Sequence, residues 1–379
     1  GSFLVLILSG TFALYLPISH TNDLSFVAAL FIATSAVCVT GLATVDINTT
    51  FTHFGHWVIL ILMQLGGLGI MTIGAIIFYL LGQRLSFQSE EALNDVLYQA
   101  PRRHRIKNDL KAIVLLTFLI EIIGVIIFYF LLSPEYSKGY NGFFVSLFHT
   151  ISAYCNAGFA LFPESLVTYR HNSLILLTTT LLIIIGGLGY PVLIDLKEIV
   201  KYKIQKLLGN KIQRKFLSFH SRVVLYSTIT LFTVGTIFLY IDNFLSKEGL
   251  KDFRWIDAFF FSASSRTAGF NVIDVSILPT SMVLTIIILM FIGGGPASTA
   301  GGLKVTTFAT WLATLSSRFK GYKEVYLGNR KISDRTVHKA FLLLSLYCIF
   351  NLLGFWILSL TELRPTSKFG LRDIIFEQI

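Results

Sequence analysis

Apolar positions along this chain are gathered into long runs, set apart by short polar segments. Residues 59–81, 112–132, 173–194, 223–241, 281–292 and 340–360 form such runs, near the length a helix needs to cross about 30 Å of hydrocarbon. The pattern predicts spanning helices with lipid as their solvent. Residues 2–17 have the apolar stretch of a signal peptide but no basic start and no small-residue cleavage site. They read as a first spanning helix cut short, with Gly1 and Ser2 as the scar of a tag.

Between the apolar runs lies an internal repeat, a feature that decides the whole fold when present. LFIATSAVCVTGL (30–42), LFHTISAYCNAGF (147–159) and AFFFSASSRTAGF (258–270) align without gaps over thirteen residues. In each, a Phe stands ten residues before a Gly: Phe31 and Gly41, Phe148 and Gly158, Phe259 and Gly269. The glycines are 117 and 111 residues apart. After a polar loop, each segment is followed by an apolar helix that runs into glycines, at Gly66-Gly67-Leu68-Gly69, Gly186-Gly187-Leu188-Gly189 and Gly293-Gly294-Gly295. These clusters begin 25, 28 and 24 residues after the repeat glycine. Each unit is therefore a helix, a half-helix, a Gly turn, a second helix and a basic loop. Half-helices of about ten residues are too short to span and must re-enter from one face.

Re-entrant backbone at membrane depth is tolerated only where protein buries it or where it lines a watery cavity. A half-helix ending in extended backbone before a Gly presents carbonyl oxygens, and a ring of carbonyls can replace the hydration shell of an alkali cation. The C-terminal end of the half-helix carries partial negative charge, which favours a cation. Glycine suits the turn because a Cβ disfavours the conformations required. One such glycine alone points to close helix packing; three aligned copies at like positions point to a pore.

Composition and charge sharpen this. The chain is 54% hydrophobic and 14% charged, with a mean hydropathy of +0.70, against about 25% charged in soluble domains. The net charge of +10 would suit nucleic acid, but 21 of the 31 Lys and Arg lie in three segments: six in 82–111, eight in 196–222 and seven in 316–339. The acidic residues there number four, one and two. The opposite loops, around 18–25, 42–56, 133–142, 160–172, 242–257 and 271–280, carry nine Asp and Glu against five Lys and Arg. The positive-inside rule places the basic loops in the cytoplasm, where they read as solvated topology determinants, with contact to anionic headgroups or a cytoplasmic partner as the alternative. Cys38, Cys155 and Cys348 lie in apolar stretches with no paired spacing, so neither a disulfide nor a metal or redox centre is expected.

Val39-Thr40-Gly41-Leu42, Asn156-Ala157-Gly158-Phe159 and Arg266-Thr267-Ala268-Gly269-Phe270, with the GGLG runs and GGGPASTAGGLK at 293–304, resemble the Trk/Ktr/HKT superfamily of potassium transporters. The likeness covers nearly the whole chain and is nearest the bacterial Ktr membrane subunit. It implies an all-α membrane protein with four M1–P-loop–M2 units around a pseudo-fourfold pore, resident in the bacterial inner membrane. It further implies a homodimer bound to a cytoplasmic ring of nucleotide-binding regulatory subunits of the RCK/KTN type. Potassium is then the transported ion, sodium a second candidate, and no other tightly bound cofactor is expected. Gly41, Gly158 and Gly269 take the selectivity-filter role, and Val39, Thr40, Asn156, Ala157, Thr267 and Ala268 supply flanking carbonyls. A Gly at the first filter goes with potassium preference, where a Ser would suggest sodium.

On this reading repeat 1 occupies residues 1–84, repeat 2 110–196, repeat 3 221–317 and the start of repeat 4 338–379. Cytoplasmic loops fill 85–109, 197–220 and 318–337. Asp373 to Glu377 reads as the beginning of a fourth pore helix, Phe376 matching the three repeat phenylalanines, and the sequence stops seven residues short of the expected Gly. The native protein is therefore expected to continue.

The resemblance makes 293–304 an intramembrane gate, with Gly293, Gly294, Gly295, Ser298, Thr299, Gly301, Gly302 and Lys304 as its residues; a kink or close-packing site is the alternative. Lys304 either repels ions or snorkels to the cytoplasmic surface, and snorkelling is adopted. Arg266, three residues before Gly269, would oppose cation entry if bare. It is expected to be paired, with Asp257, Asp274 or backbone carbonyls, as filter support. Glu121 is an ionisable group inside an apolar run and hence a functional candidate, with a hydrogen-bonded role behind a pore helix as the competing reading. Asp195 is expected to cap at the interface, and His149 to be packed or hydrogen-bonded. A sodium- or proton-coupled secondary transporter with broken helices is the runner-up, disfavoured by parallel repeats and scarce midplane acids. A membrane-embedded enzyme finds no HExxH, GxGD or paired His and Asp.

Overall fold

A computed structural model of the chain describes residues 2–21, 23–69, 106–132, 139–162, 164–210, 213–246, 249–362 and 370–379. These hold fourteen α-helices: α1 (Ser2–Tyr15), α2 (Phe26–Cys38), α3 (Ile47–Thr50), α4 (His53–Leu68), α5 (Ile106–Leu131), α6 (Gly139–Tyr154), α7 (Ser173–Leu188), α8 (Tyr190–Leu207), α9 (Phe219–Leu245), α10 (Trp255–Ser264), α11 (Thr280–Phe291), α12 (Val305–Phe319), α13 (Asp334–Glu362) and α14 (Leu371–Gln378). A two-stranded antiparallel hairpin, β1 (Tyr326–Leu327) and β2 (Arg330–Lys331), sits between α12 and α13.

The helices pack in triads. α1, α2 and α4 touch one another, as do α5, α6 and α7, and then α9, α10 and α11. The third helix of each triad also meets the next short helix: α4 lies on α6, α7 on α10 and α11 on α14. Burial follows from this. In α10 the whole run from Asp257 to Ser264 is buried except Phe259, and α2 buries Ala29, Ile32, Ala33, Ser35, Ala36 and Val37. The long helices instead turn Leu115, Phe118, Ile122 and Phe130 of α5, and Leu342, Phe350 and Trp356 of α13, to the outside. Apolar helices with bare apolar flanks around short buried ones suit a hydrocarbon solvent.

Among the described residues, three helices are long and apolar enough to cross a membrane: 111–131 within α5, then α9 and α13, with the bent pair α7–α8 as a fourth. The short helices have 13, 16 and 10 residues in α2, α6 and α10, so α6 exceeds the expected length. At a 1.5 Å rise, α2 and α10 reach only about 15–20 Å.

Three expectations need correction. The apolar run 173–194 is not one helix: it breaks at Gly189, where α7 and α8 meet at 104°. Gly189 has a φ of +88° and lies against the Pro296 carbonyl, and Pro191 then opens α8 at its first turn, where its missing N–H costs nothing. The basic segment from 197 is helical to Leu207 rather than a loop. In the same way, the segment 318–337 holds the β1–β2 hairpin and the ends of two helices. The apolar run 59–81 is helical to Leu68; its remainder and most of the expected loop 85–109 lie outside the described residues.

Candidate functional site

The three short helices end alike. Past α2, Val39 is left-handed (φ 57°, ψ 45°) and the amides of Val39 and Thr40 turn back to Ala36 O (3.3 Å) and Ser35 O (2.9 Å). Past α6, Asn156 has φ 58°, and the Asn156 and Ala157 amides donate to Ala153 O (3.2 Å) and Ser152 O (2.7 Å). Past α10, Thr267 has φ 65°, and the Arg266 and Ala268 amides donate to Ala263 O (3.1 Å) and Ser264 O (2.9 Å). Gly41, Gly158 and Gly269 follow at φ 83°, 71° and 77°. Satisfying the N–H groups on the helix end leaves the carbonyls of the turn to face away from it.

The three turns lie against one another. A Cβ on Gly41 would lie 2.6 Å from Ala157 O and 3.1 Å from the Gly158 Cα. One on Gly158 would lie 2.8 Å from Ala268 O and 3.1 Å from the Gly269 Cα, and one on Gly269 would lie 3.3 Å from the Gly158 Cα and 3.7 Å from Thr40 O. The carbonyl before each glycine thus faces the glycine of a neighbouring turn, round all three. Among the described residues none of these three carbonyls accepts a hydrogen bond, and no group of three His, Cys, Asp or Glu is placed to hold a metal. The first and third turns border a cavity of about 420 Å³ whose lining includes Thr40, Gly41, Thr267, Gly269, Gly301 and Phe376.

Serines brace two turns from behind. Ser152 Oγ donates to Phe159 O at 2.7 Å, and Ser264 Oγ to Phe270 O at 2.5 Å. Sequence reasoning missed them, because the gapless alignment pairs Ser152 with Ala263 and so offsets the equivalent serine by one. The side-chain nitrogen of Asn156, in the orientation that satisfies both ends of its amide, donates to Ile183 O (3.3 Å) and Ala153 O (3.1 Å). The glycine clusters act on the helix ends: a Cβ on Gly66 would strike Val37 O, and one on Gly186 would strike Tyr154 O. Close packing is the part these glycines play.

Arg266 is buried, and its Nη2 donates to Gly293 O at 2.8 Å while the guanidinium lies 5.1 Å over the Phe232 ring. The carbonyl partner expected for it is present; the carboxylates are not. Asp257, fully buried, is held by Arg170 at 2.9 Å and Arg254 at 2.8 Å, and Asp274 caps the amide of Ser276 at 2.9 Å. Glu121 accepts from Gln64 Nε2 at 2.8 Å behind α6, the hydrogen-bonded arrangement weighed against a functional one. Asp195 caps α9, accepting from Ser218 N (3.1 Å) and Ser221 Oγ (2.6 Å). His149 bonds Val145 O at 2.8 Å through Nδ1, accepts from Leu161 N at 3.2 Å on Nε2, and stacks on Phe162 at 4.0 Å.

Residues 292–304 break the helix between α11 and α12 and fold back on themselves. Gly293 N donates to Leu303 O (3.0 Å), Leu303 N to Phe291 O (3.2 Å) and Val305 N to Gly294 O (3.0 Å). The tip leans on α7: Gly295 N donates to Gly187 O at 2.8 Å and Thr299 N to Gly186 O at 3.3 Å. Close quarters explain the small residues, since a Cβ on Gly293 would lie 1.8 Å from Gly301 O. Ser298 Oγ closes the tip on Gly295 O at 2.6 Å. Lys304 does not snorkel outward: its ammonium turns back to Ala300 O at 2.6 Å, where a buried ammonium finds an acceptor that lipid would deny it.

Short buried helices whose left-handed ends lie against one another, inside a shell of long apolar helices, fit a membrane protein of the transport class. The family profile of the TrkH cation transport proteins matches residues 2–379, and the chain belongs to that family, one of transporters and not enzymes. It is similar to the Ktr system potassium uptake protein B of Bacillus subtilis (strain 168), 36% identical over 383 residues, covering 100% of this chain and 81% of that protein. It is also similar to the potassium/sodium uptake protein NtpJ of Enterococcus hirae, 33% identical over 384 residues, with 100% and 81% covered. Among solved structures, the potassium transporter TrkH from Vibrio parahaemolyticus matches with a TM-score of 0.70 at 18% identity, over 98% of this chain and 72% of that one; at that identity the likeness speaks for the fold.

Proposed function

We propose that this chain is the pore-forming membrane subunit of a potassium uptake system of the Ktr/Trk type, passing dehydrated K+ through a filter of backbone carbonyls. The observation that carries this is the cyclic approach of Thr40 O, Ala157 O and Ala268 O to the glycines of neighbouring turns. Oxygens without competing donors are available to replace water around an alkali ion. The names of the Ktr and NtpJ relatives support potassium as cargo and keep sodium as the competing ion.

α14, whose Phe376 lines the cavity between turns 1 and 3, takes the place of a fourth pore helix. Four M1–P-loop–M2 repeats then surround one pore, with the boundaries given by the sequence. The segment 293–304 is the gate below the filter, its cation Lys304 at the ion path. The cytoplasmic basic loops meet a nucleotide-binding regulatory ring, and two copies of the chain form the membrane dimer; the word "system" in the relatives' names favours a partner. The test is cation uptake by the natural-length protein carrying Gly41→Ser, measured for potassium against sodium. Potassium preference falls if turn 1 is part of the filter, and an unchanged preference removes the assignment.

A further inference from the structure

The folded-back segment 292–304 does more than occupy space below the turns: it is bonded to them. Gly301 N donates to Thr267 Oγ1 at 2.8 Å, and Gly293 O accepts from Arg266 Nη2 at 2.8 Å. The two ends of the segment are thus pinned to consecutive residues of the third turn. A third bond, from Thr299 Oγ1 to Tyr154 O at 3.1 Å, ties its tip to the end of α6, four residues before Gly158. Among the described residues no hydrogen bond joins the segment to the first turn.

Thr267, like Val39, is β-branched and left-handed, at φ 65°, a region such residues avoid unless their surroundings hold them there. Asn156, at the matching place in the second turn, is held by carbonyls of its own repeat, Ile183 O and Ala153 O. Thr267 instead takes its side-chain bond from the gate segment. Any displacement of 293–301 removes that bond and leaves the third turn held only by its own amides and by Ser264.

We infer that the gate segment also sets ion discrimination: through Gly301 and Gly293 it holds Thr267 and Arg266, as positioning residues, in the geometry that aims the third turn's carbonyls. Gate position and potassium-over-sodium preference are then one coupled quantity. This inference rests on the filter and gate reading above, and the experiment separates the two.

The experiment measures the potassium-to-sodium uptake ratio and the maximal rate for the natural-length protein with its regulatory partner. The variants are Thr267→Val, Thr267→Ser, Gly293→Ala, the double variant Thr267→Val with Gly293→Ala, and Gly269→Ser as filter control. Thr267→Val keeps the branched shape but removes the acceptor, so the ratio falls by about threefold to tenfold, the worth of one hydrogen bond. Thr267→Ser retains the ratio. Gly293→Ala displaces the segment, because the added Cβ meets Gly301 O, and Thr267→Val then adds nothing further to it, the non-additivity expected of groups acting through one contact.

A Thr267→Val ratio equal to wild type, or a loss equal in the Ser variant, overturns the coupling. If Gly269→Ser also leaves the ratio unchanged, the filter reading itself fails; if it lowers the ratio while Thr267→Val does not, only the coupling fails. Should Gly293→Ala not assemble, Thr299→Val replaces it as the segment-loosening variant and the same non-additivity is required.

Discussion

Val39, Asn156 and Thr267 hold left-handed backbone two residues before Gly41, Gly158 and Gly269, at a cost of about 1–2 kcal/mol each. Ordinary residues persist there because the amides around them are already bonded to the helix ends. The glycines face a second demand, since each lies against a neighbouring carbonyl or Cα. Gly158→Ala combines left-handed strain of about 1–2 kcal/mol with a Cβ 2.8 Å from Ala268 O. Cation flux in vesicles is expected to collapse while the protein still purifies as wild type does. Ser152→Ala has a quieter effect: Phe159 O loses its donor, and the melting temperature in detergent falls by the equivalent of about 1 kcal/mol. At this scale the glycines were legible from their triplicate register. The serine braces were not, because Ser264 is displaced by one position from Ser152 in the alignment. The partner of Arg266 was legible only as a need for pairing, since Gly293 O is a backbone atom 27 residues away.

Helices and the breaks between them carry the next level. The half-helices were readable because apolar residues too few to span were flanked by polar loops. The break at Gly189 was not, since apolar residues continue across it to Ile194 and a hydropathy pattern records burial, not direction. Only the GGLGYP punctuation, a left-handed cap followed by Pro, held that signal. Gly189→Ala is expected to disturb the α7–α8 corner, because its Cβ would meet Pro296 O at 2.3 Å. Limited proteolysis near 190–207 should accelerate, and a cleavage pattern identical to wild type would contradict this. At the opposite end, Asp257 joins the segment before α7 to the start of α10 through Arg170 and Arg254. Its side chain is fully buried while the arginines are 17% and 32% exposed. Solvent near the arginines discounts the roughly 3–5 kcal/mol of a fully buried pair, so Asp257→Asn should cost about 2–3 kcal/mol, read as a lower melting temperature. Asp274→Ala, which removes an exposed cap, should cost less, about 1 kcal/mol.

For the molecule as a whole, the charge asymmetry and the outward apolar faces make one statement about orientation. The proposed orientation puts the Lys-rich α8 and the β1–β2 hairpin at the cytoplasmic ends and the turn after Gly269 on the outside. In a cysteine-free background, Asn210→Cys should react with an impermeant maleimide only from the cytoplasmic side and Asn271→Cys only from the external side; the reverse pattern would invert the topology. The membrane class and the order of helices followed from runs and loops in the sequence. The packing of each triad on the next short helix required the structure, since it depends on contacts between residues far apart in the chain.

The central claim is that three turns of backbone carbonyl oxygen meet around a cation path. Anomalous diffraction from crystals of the natural-length protein soaked in rubidium tests it most directly. The account predicts ion density at the point enclosed by Gly41, Gly158 and Gly269, within coordination reach of Thr40 O, Ala157 O and Ala268 O. Rubidium bound elsewhere in the membrane region, with that point empty, would contradict it.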